Sequence, residues 1–147
     1  MKKIIYFLEF ILVYTLFIVF KIIGYKASSN FGFFIGKIFG PIFRSKTLIV
    51  KNLEKSKILI KKNNYEIAKN ILGNYGRIFA EYPHLKSFRN NKLNKFIKID
   101  GLEHLIKIRN NNKPVVFISG HFNNFELMAM QIEKSGINLA TIYRPLN

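Results

Sequence analysis

Residues 115–126 read Val-Val-Phe-Ile-Ser-Gly-His-Phe-Asn-Asn-Phe-Glu, an apolar run followed by a turn and an acidic residue. The run is short and rich in β-branched and aromatic residues, so residues 114–119 are expected to form a buried strand. Residues 124–135 have the pattern of a helix that Gly136 closes. The strand would therefore deliver His121 to a turn, with Glu126 five residues later at the start of a helix.

The flanking sequence continues this alternation. Residues 95–99 and 137–143 are predicted to be strands, and residues 102–109 a helix. A β-α-β-α-β order implies a parallel sheet with right-handed crossovers, and hence the α/β class. Ligands of such sheets bind at the carboxyl ends of the strands, where His121 and Arg144 would both emerge.

A histidine and a carboxylate at this spacing suit acyl transfer. Neutral imidazole accepts a proton from an attacking hydroxyl, and the carboxylate fixes the tautomer and stabilises the imidazolium. Each residue also has a structural alternative. Glu126 stands three positions after Asn123 and would complete a capping box, His121 would be an exposed loop histidine, and Arg144 would pair with a nearby carboxylate.

Residues 120–126 resemble the His-x4-Asp/Glu signature of glycerolipid acyltransferases. They are more similar still to the Gly-His-Phe-Gly-Asn-Trp-Glu pattern of the bacterial lipid A biosynthesis (lauroyl/myristoyl) acyltransferases. Residues 142–147 are similar to the Tyr-Arg-Pro-Leu element of that family, and residues 74–84 and 100–103 also resemble it.

Two positions depart from the family pattern. Asn123 replaces the glycine, which a left-handed backbone would allow because Asn adopts that conformation more readily than most residues. Phe125 replaces the tryptophan and keeps an aromatic wall while losing the indole donor.

The resemblance implies a partial glycerolipid-acyltransferase-like sheet. It also implies that His121 and Glu126 are catalytic and that Arg144 binds substrate, with acyl-acyl carrier protein as donor and a lipid A precursor as acceptor. No metal and no redox cofactor is implied. Family members are longer, so the chain is expected to be a truncated N-terminal half. The alternative to an active acyltransferase is a truncated or split-gene fragment that acts as a membrane-bound half, either non-catalytic or dependent on a second chain that supplies the missing half.

Residues 4–23 are apolar except for Glu9 and Lys21, which matches the length of a membrane-spanning helix. A cleavable signal peptide is the alternative. Lysines on both sides leave the orientation open. By resemblance, the expected location is the bacterial inner membrane, with the catalytic part on the cytoplasmic face.

A second apolar segment, residues 31–43, is too short to span and carries glycines four residues apart at Gly32, Gly36 and Gly40. It is expected to dock on the first helix or to lie in the membrane interface, with an ordinary buried amphipathic helix as the alternative. The expected division is a membrane anchor and interfacial helix over residues 1–43 and a partial acyltransferase domain over residues 44–147.

Between these regions, residues 47–62 have a helical pattern, and Asn64 is expected to cap a helix over residues 65–81. Arg77 and Glu81 would lie one turn apart, either as a solvated salt bridge or as part of the family-like site. His84 and His104 are expected to be structural or solvated.

The formal net charge of +16 indicates an anionic partner, which would be nucleic acid, acidic lipid headgroups (an anionic membrane) or an acidic protein. The alternative is that the abundance of Lys, Ile and Asn reflects an AT-rich genome and that the charge has no binding function. The basic residues are scattered, and no basic, Gly-rich aromatic stretch resembles an RNA-binding signature, so nucleic acid is not expected. Cysteine is absent, which excludes disulfides, a thiolate nucleophile and thiolate metal sites.

Overall fold

The computed structural model describes residues 2–56, 63–111 and 113–142. The chain divides into two compact units, Met1–His84 and Leu85–Asn147. Each unit is helical, and each is described by itself below.

The described residues of the first unit, 2–56 and 63–84, form four helices. They are α1 (Lys2–Ile23), α2 (Tyr25–Phe43), α3 (Lys46–Lys55) and α4 (Asn64–Glu81), followed by one 3-10 turn, Tyr82–His84. Only Gly24, with a φ of 81°, separates α1 from α2.

Glycine brings α2 and α4 into backbone contact. A β-carbon at Gly32 would stand 2.5 Å from the Gly76 carbonyl oxygen, and one at Gly36 would stand 2.5 Å from the Leu72 carbonyl oxygen. Small residues on both helices therefore allow a separation that no larger residue would permit. The glycines of α2 therefore pack on α4. Docking of this segment on α1 was one of the alternatives expected from the sequence, beside a position in the membrane interface and an ordinary buried helix.

α3 and α4 enclose a small apolar core. Ile49, Val50, Ala68 and Leu72 are buried in it. α4 begins one residue earlier than expected because Asn63, rather than Asn64, caps it, with its Oδ1 accepting a hydrogen bond of 2.9 Å from the Tyr65 N–H. The helix expected over residues 47–62 is present as α3, and residues 57–62 lie outside the described part.

The second unit contains α5 (Leu85–Arg89), a 3-10 turn (Asn94–Phe96), α6 (Leu102–Asn111) and α7 (Glu126–Lys134). Two side chains of α7 tie it to α5. Glu133 accepts hydrogen bonds of 3.1 and 2.8 Å from the Arg89 guanidinium, and the Lys134 ammonium donates to the Phe88 carbonyl at 3.1 Å.

The parallel β-α-β-α-β sheet predicted from the sequence is wrong, because residues 2–56, 63–111 and 113–142 contain no β-strand. Both helices of the predicted alternation form, as α6 and α7. The predicted strands do not: residues 95–99 begin in a 3-10 turn, and residues 114–119 and 137–142 have no regular secondary structure. Residue 143, the last of the third predicted strand, lies outside the described part.

The reason lies in what a strand requires. An apolar run indicates a tendency to be buried, but a strand also needs a neighbour that pairs with its backbone. Residues 113–119 and 136–142 instead line one cavity of about 930 Å³. Val116 is 84% exposed and Ile118 is 93% exposed, so the predicted burial of this run is also not observed.

Candidate active site

The turn between residues 120 and 125 positions the candidate catalytic histidine. The Phe122 N–H donates to the Gly120 carbonyl at 2.9 Å, and the Phe125 N–H donates to the Asn123 carbonyl at 3.1 Å. Asn123 has a φ of 47°, in the left-handed region. The expectation that Asn replaces glycine here by adopting a left-handed backbone is therefore confirmed.

His121 is exposed on this turn, and its ring stacks on Phe125 with centroids 4.4 Å apart and planes 23° apart. Phe125 thus provides the aromatic wall that the sequence predicted. The stacking restricts the orientation of the imidazole, while exposure leaves its edge accessible to a substrate.

Glu126 is half-buried and is the first residue of α7. The helix begins after Phe125, so Glu126 does not take the third helical position that a capping box with Asn123 would require. An acidic residue in the first turn is favourable to the helix dipole. Glu126 therefore directly follows Phe125, the residue on whose ring His121 stacks.

The 930 Å³ cavity adjoins the turn, since Phe125 also contributes to its lining. Apolar side chains of α7 and of the loop segments on either side of it form most of the wall, among them Phe117, Met128 and Ile132, and its charged lining residues are Arg109 and Lys113. A second cavity of about 530 Å³ shares these three apolar residues. The space beside His121 is therefore mainly apolar with basic groups at its wall.

Arg144 lies outside the described residues, so its convergence with His121 stays a prediction. His104 is a solvated histidine as expected: it is exposed, with its Nε2 3.6 Å from Glu103 Oε1. Within the described part of the chain, no group of three or more His, Asp or Glu side chains is placed to hold a metal ion.

His84 has the structural role that was expected, through partners that the sequence did not reveal. It is 5% exposed, and its Nε2 lies 3.1 Å from both Ser28 Oγ and the Phe20 carbonyl oxygen. Since a carbonyl only accepts, the bond to Phe20 puts a proton on Nε2. Ser28 Oγ lies 2.6 Å from the carbonyls of both Phe20 and Gly24. Burial lowers the pKa of His84.

A second buried group lies beside it. Glu81 is 5% exposed and accepts hydrogen bonds from Ser29 Oγ at 2.8 Å and from the Tyr25 hydroxyl at 3.4 Å. The Arg77 guanidinium lies over the Phe33 ring, 4.6 Å from its centroid. Glu81 is therefore an internal acceptor of the first unit, and the solvated surface pair predicted for Arg77 and Glu81 is wrong.

α1 is the described helix that is long and apolar enough to cross a membrane. Its candidate span is Lys3–Ile23, and 6% of the most apolar window is buried inside the protein. An unburied apolar helix of this length indicates membrane association.

Comparison with known proteins gives one match. A family model described as bacterial lipid A biosynthesis acyltransferase matches residues 1–147. No curated protein and no solved structure matches the chain. The match covers the whole sequence, including the His121 turn, and the chain belongs to the bacterial lipid A biosynthesis acyltransferase family.

Proposed function

We propose that the protein transfers a fatty acyl chain from acyl-acyl carrier protein to a hydroxyl of a lipid A precursor, with His121 as general base. The observation that carries the proposal is an exposed imidazole, stacked on Phe125 at the edge of an apolar cavity, in a chain of this family. An apolar cavity suits an acyl chain, and the net charge of +16 suits the acidic carrier and the phosphates of the acceptor.

In the proposed reaction, His121 removes the proton of the acceptor hydroxyl as the oxygen attacks the thioester carbonyl. Glu126 orients the imidazole and stabilises the imidazolium. The tetrahedral intermediate then collapses, the carbon–sulfur bond breaks, and the proton held by His121 passes to the carrier thiolate. Arg144 stabilises the developing oxyanion or holds a phosphate of the acceptor.

An in vitro assay tests this assignment. Detergent-solubilised membranes containing the protein are incubated with acyl-acyl carrier protein and a lipid A precursor. We expect His121→Ala to reduce acyl transfer by roughly a hundredfold or more, because a lost general base costs about that much. His104→Ala is the matched control and should retain the parental rate. Equal rates for the parent and His121→Ala would reject His121 as the base.

We further propose that residues 1–43 are the membrane part and residues 44–147 the acyltransferase part, at the cytoplasmic face of the bacterial inner membrane. The unburied apolar surface of α1 supports the anchor. The need for a cytoplasmic acyl carrier supports the sidedness. Protease accessibility of residues 44–147 in inverted but not in right-side-out vesicles is the expected result, and the reverse pattern would contradict it.

A second candidate function is a membrane-bound half that acts only with a second chain. The large exposure of Val116 and Ile118 favours it, because these apolar side chains lie in a segment without regular secondary structure and are available to a partner. Here the purified chain would be inactive, and adding a chain encoded directly downstream would restore transfer. Transfer by the chain alone, unchanged by such an addition, would reject this candidate.

A further inference from the structure

The distribution of buried and exposed residues on α2 is the reverse of that on a helix of a water-soluble protein. Its buried residues are small: Ser28, Gly32 and Gly36. Its large apolar residues are exposed, with Phe34 60% and Ile42 75% exposed, and Phe31, Ile38 and Phe43 share this property. Amphipathic helices in water bury their large apolar side chains, whereas membrane helices place small residues against their neighbours.

α4 has a polar outer surface, in contrast to α2. Glu66 forms salt bridges of 2.9 Å with Lys69 and of 3.7 Å with Lys37 at the border with α2, and the hydroxyl-bearing residues Tyr65 and Tyr75 are 56% and 54% exposed. Small residues of α4 make the close contacts with α2, and the polar Glu81 on the same side is buried and bonded to Ser29 of α2. α4 is therefore suited to water, and α2 separates it from an apolar environment.

The exposed face of α2 continues the apolar surface of α1. Phe20 of α1 packs on Phe31 of α2 with ring centroids 6.4 Å apart. The buried hydrogen bonds of the Phe20 carbonyl with Ser28 and His84 hold the end of α1 against the start of α2. An anchor of the type expected for α1 would thus bring α2 to the membrane surface.

The positive charges at the two ends of α2 also fit a position at the membrane surface. Lys26 near its start and Arg44 directly after its end are both exposed. Cationic residues that border an apolar face fit a bilayer with anionic headgroups, because the apolar side chains enter the acyl region and the cations remain among the phosphates.

We propose that the exposed face of α2, formed by Phe31, Phe34, Ile38 and Ile42, lies in the headgroup–acyl boundary of an anionic bilayer. The glycine face of α2 packs on α4. The unit Met1–His84 is then docked on the membrane by two helices, in the order lipid, α2, α4, water, rather than tethered by α1 alone. This inference is independent of the catalytic proposal.

The absence of tryptophan from the chain provides a direct test. Single tryptophans are introduced in the full chain by Phe34→Trp and Ile38→Trp on α2, with Tyr65→Trp on α4 as the matched control. Tyr75 is not used as a control because its ring centroid lies 5.8 Å from the Arg44 guanidinium. Each variant is reconstituted into vesicles of phosphatidylethanolamine and phosphatidylglycerol, with and without lipids brominated near the headgroup or near the chain end.

We expect the α2 tryptophans to emit at shorter wavelength than the tryptophan at position 65 of α4 and to lose at least about half of their intensity to brominated lipid. Bromines near the headgroup should quench more than bromines at the chain end, since an interfacial helix is buried only about 5–10 Å. The control tryptophan should not be quenched.

Three results would overturn the proposal. Emission typical of water at both α2 positions would place this face in solvent. Short-wavelength emission without quenching would mean that protein covers it. Stronger quenching by bromines at the chain end would make α2 a spanning helix. Far-UV circular dichroism checks each variant for parental helicity, and Ile42→Trp replaces any α2 variant that fails, because that side chain is 75% exposed.

Discussion

Replacing Gly36 by alanine tests the contact between α2 and α4. The added β-carbon would stand 2.5 Å from the Leu72 carbonyl oxygen and 3.0 Å from the Gly76 Cα, whereas ordinary van der Waals contact begins at 3.4 Å. Both neighbours are backbone atoms that cannot rotate away. The two helices would therefore have to separate by about 0.9 Å, the difference between 3.4 and 2.5 Å.

Two opposing effects set the magnitude. Alanine gains about 1 kcal/mol over glycine in intrinsic helix propensity. Overpacking costs roughly 1–3 kcal/mol, and the upper end applies because separating the helices also loosens the close contacts at Gly32 and Gly40. The net loss is about 2 kcal/mol, or roughly a 30-fold fall in the ratio of folded to unfolded protein.

Gly73→Ala is the matched control. Its β-carbon would meet two Phe33 ring carbons at 2.7 and 2.8 Å and the Lys37 Cγ at 2.9 Å. These are side-chain atoms that can move, and the gain in helix propensity is the same. Denaturant unfolding in detergent micelles, followed by far-UV circular dichroism, compares the two variants. If Gly36→Ala is as stable as Gly73→Ala or the parent, the backbone contact described here is wrong.

Three other predictions concern His84, Asn123 and Glu126. Burial lowers the pKa of His84 below 6.5, so the unfolded chain binds this proton first as the pH falls. The free energy of unfolding should therefore decrease below about pH 6.5 and level off above that pH. His84→Gln should remove this part of the pH dependence in melting curves, and an unchanged pH dependence in the variant would contradict the prediction. Asn123→Gly should retain stability and acyl transfer. Asn123→Ala should lower the free energy of unfolding by about 1 kcal/mol, because alanine tolerates a left-handed backbone poorly. Equal melting temperatures of these two variants would argue against a left-handed conformation at residue 123. Glu126→Gln should reduce acyl transfer through loss of the imidazolium partner while leaving the helicity unchanged, and a parental rate would remove Glu126 from the mechanism.

The helices were predictable because their signals are local. Apolar periodicity and an Asn at the start indicated α4 to within one residue of its cap, and the same kind of signal indicated α6 and α7. The sheet was not predictable in this way. Strand pairing depends on residues distant in sequence, and the runs at residues 114–119 and 137–142 carry no information about which neighbour, if any, completes them.

The same distinction between local and long-range features applies to the functional residues. The turn at His121, the aromatic wall of Phe125 and the left-handed Asn123 follow from a contiguous motif. The bonds of His84 to Ser28 and Phe20 join residues 56 and 64 positions apart, which no local pattern indicates. One signal was available, since Ser28 precedes Gly32 at the four-residue spacing of the glycine stripe and thus belonged on its buried face.

The most direct test of the proposed function uses bacterial cells that lack one of their own lipid A acyltransferases and express this chain instead. The measurement is the mass of their lipid A. We predict a species heavier by one fatty acyl group with the parental chain and with His104→Ala, and its absence with His121→Ala. A mass spectrum without the added acyl group in the parental case, or with it in the His121→Ala case, would contradict acyl transfer by this histidine.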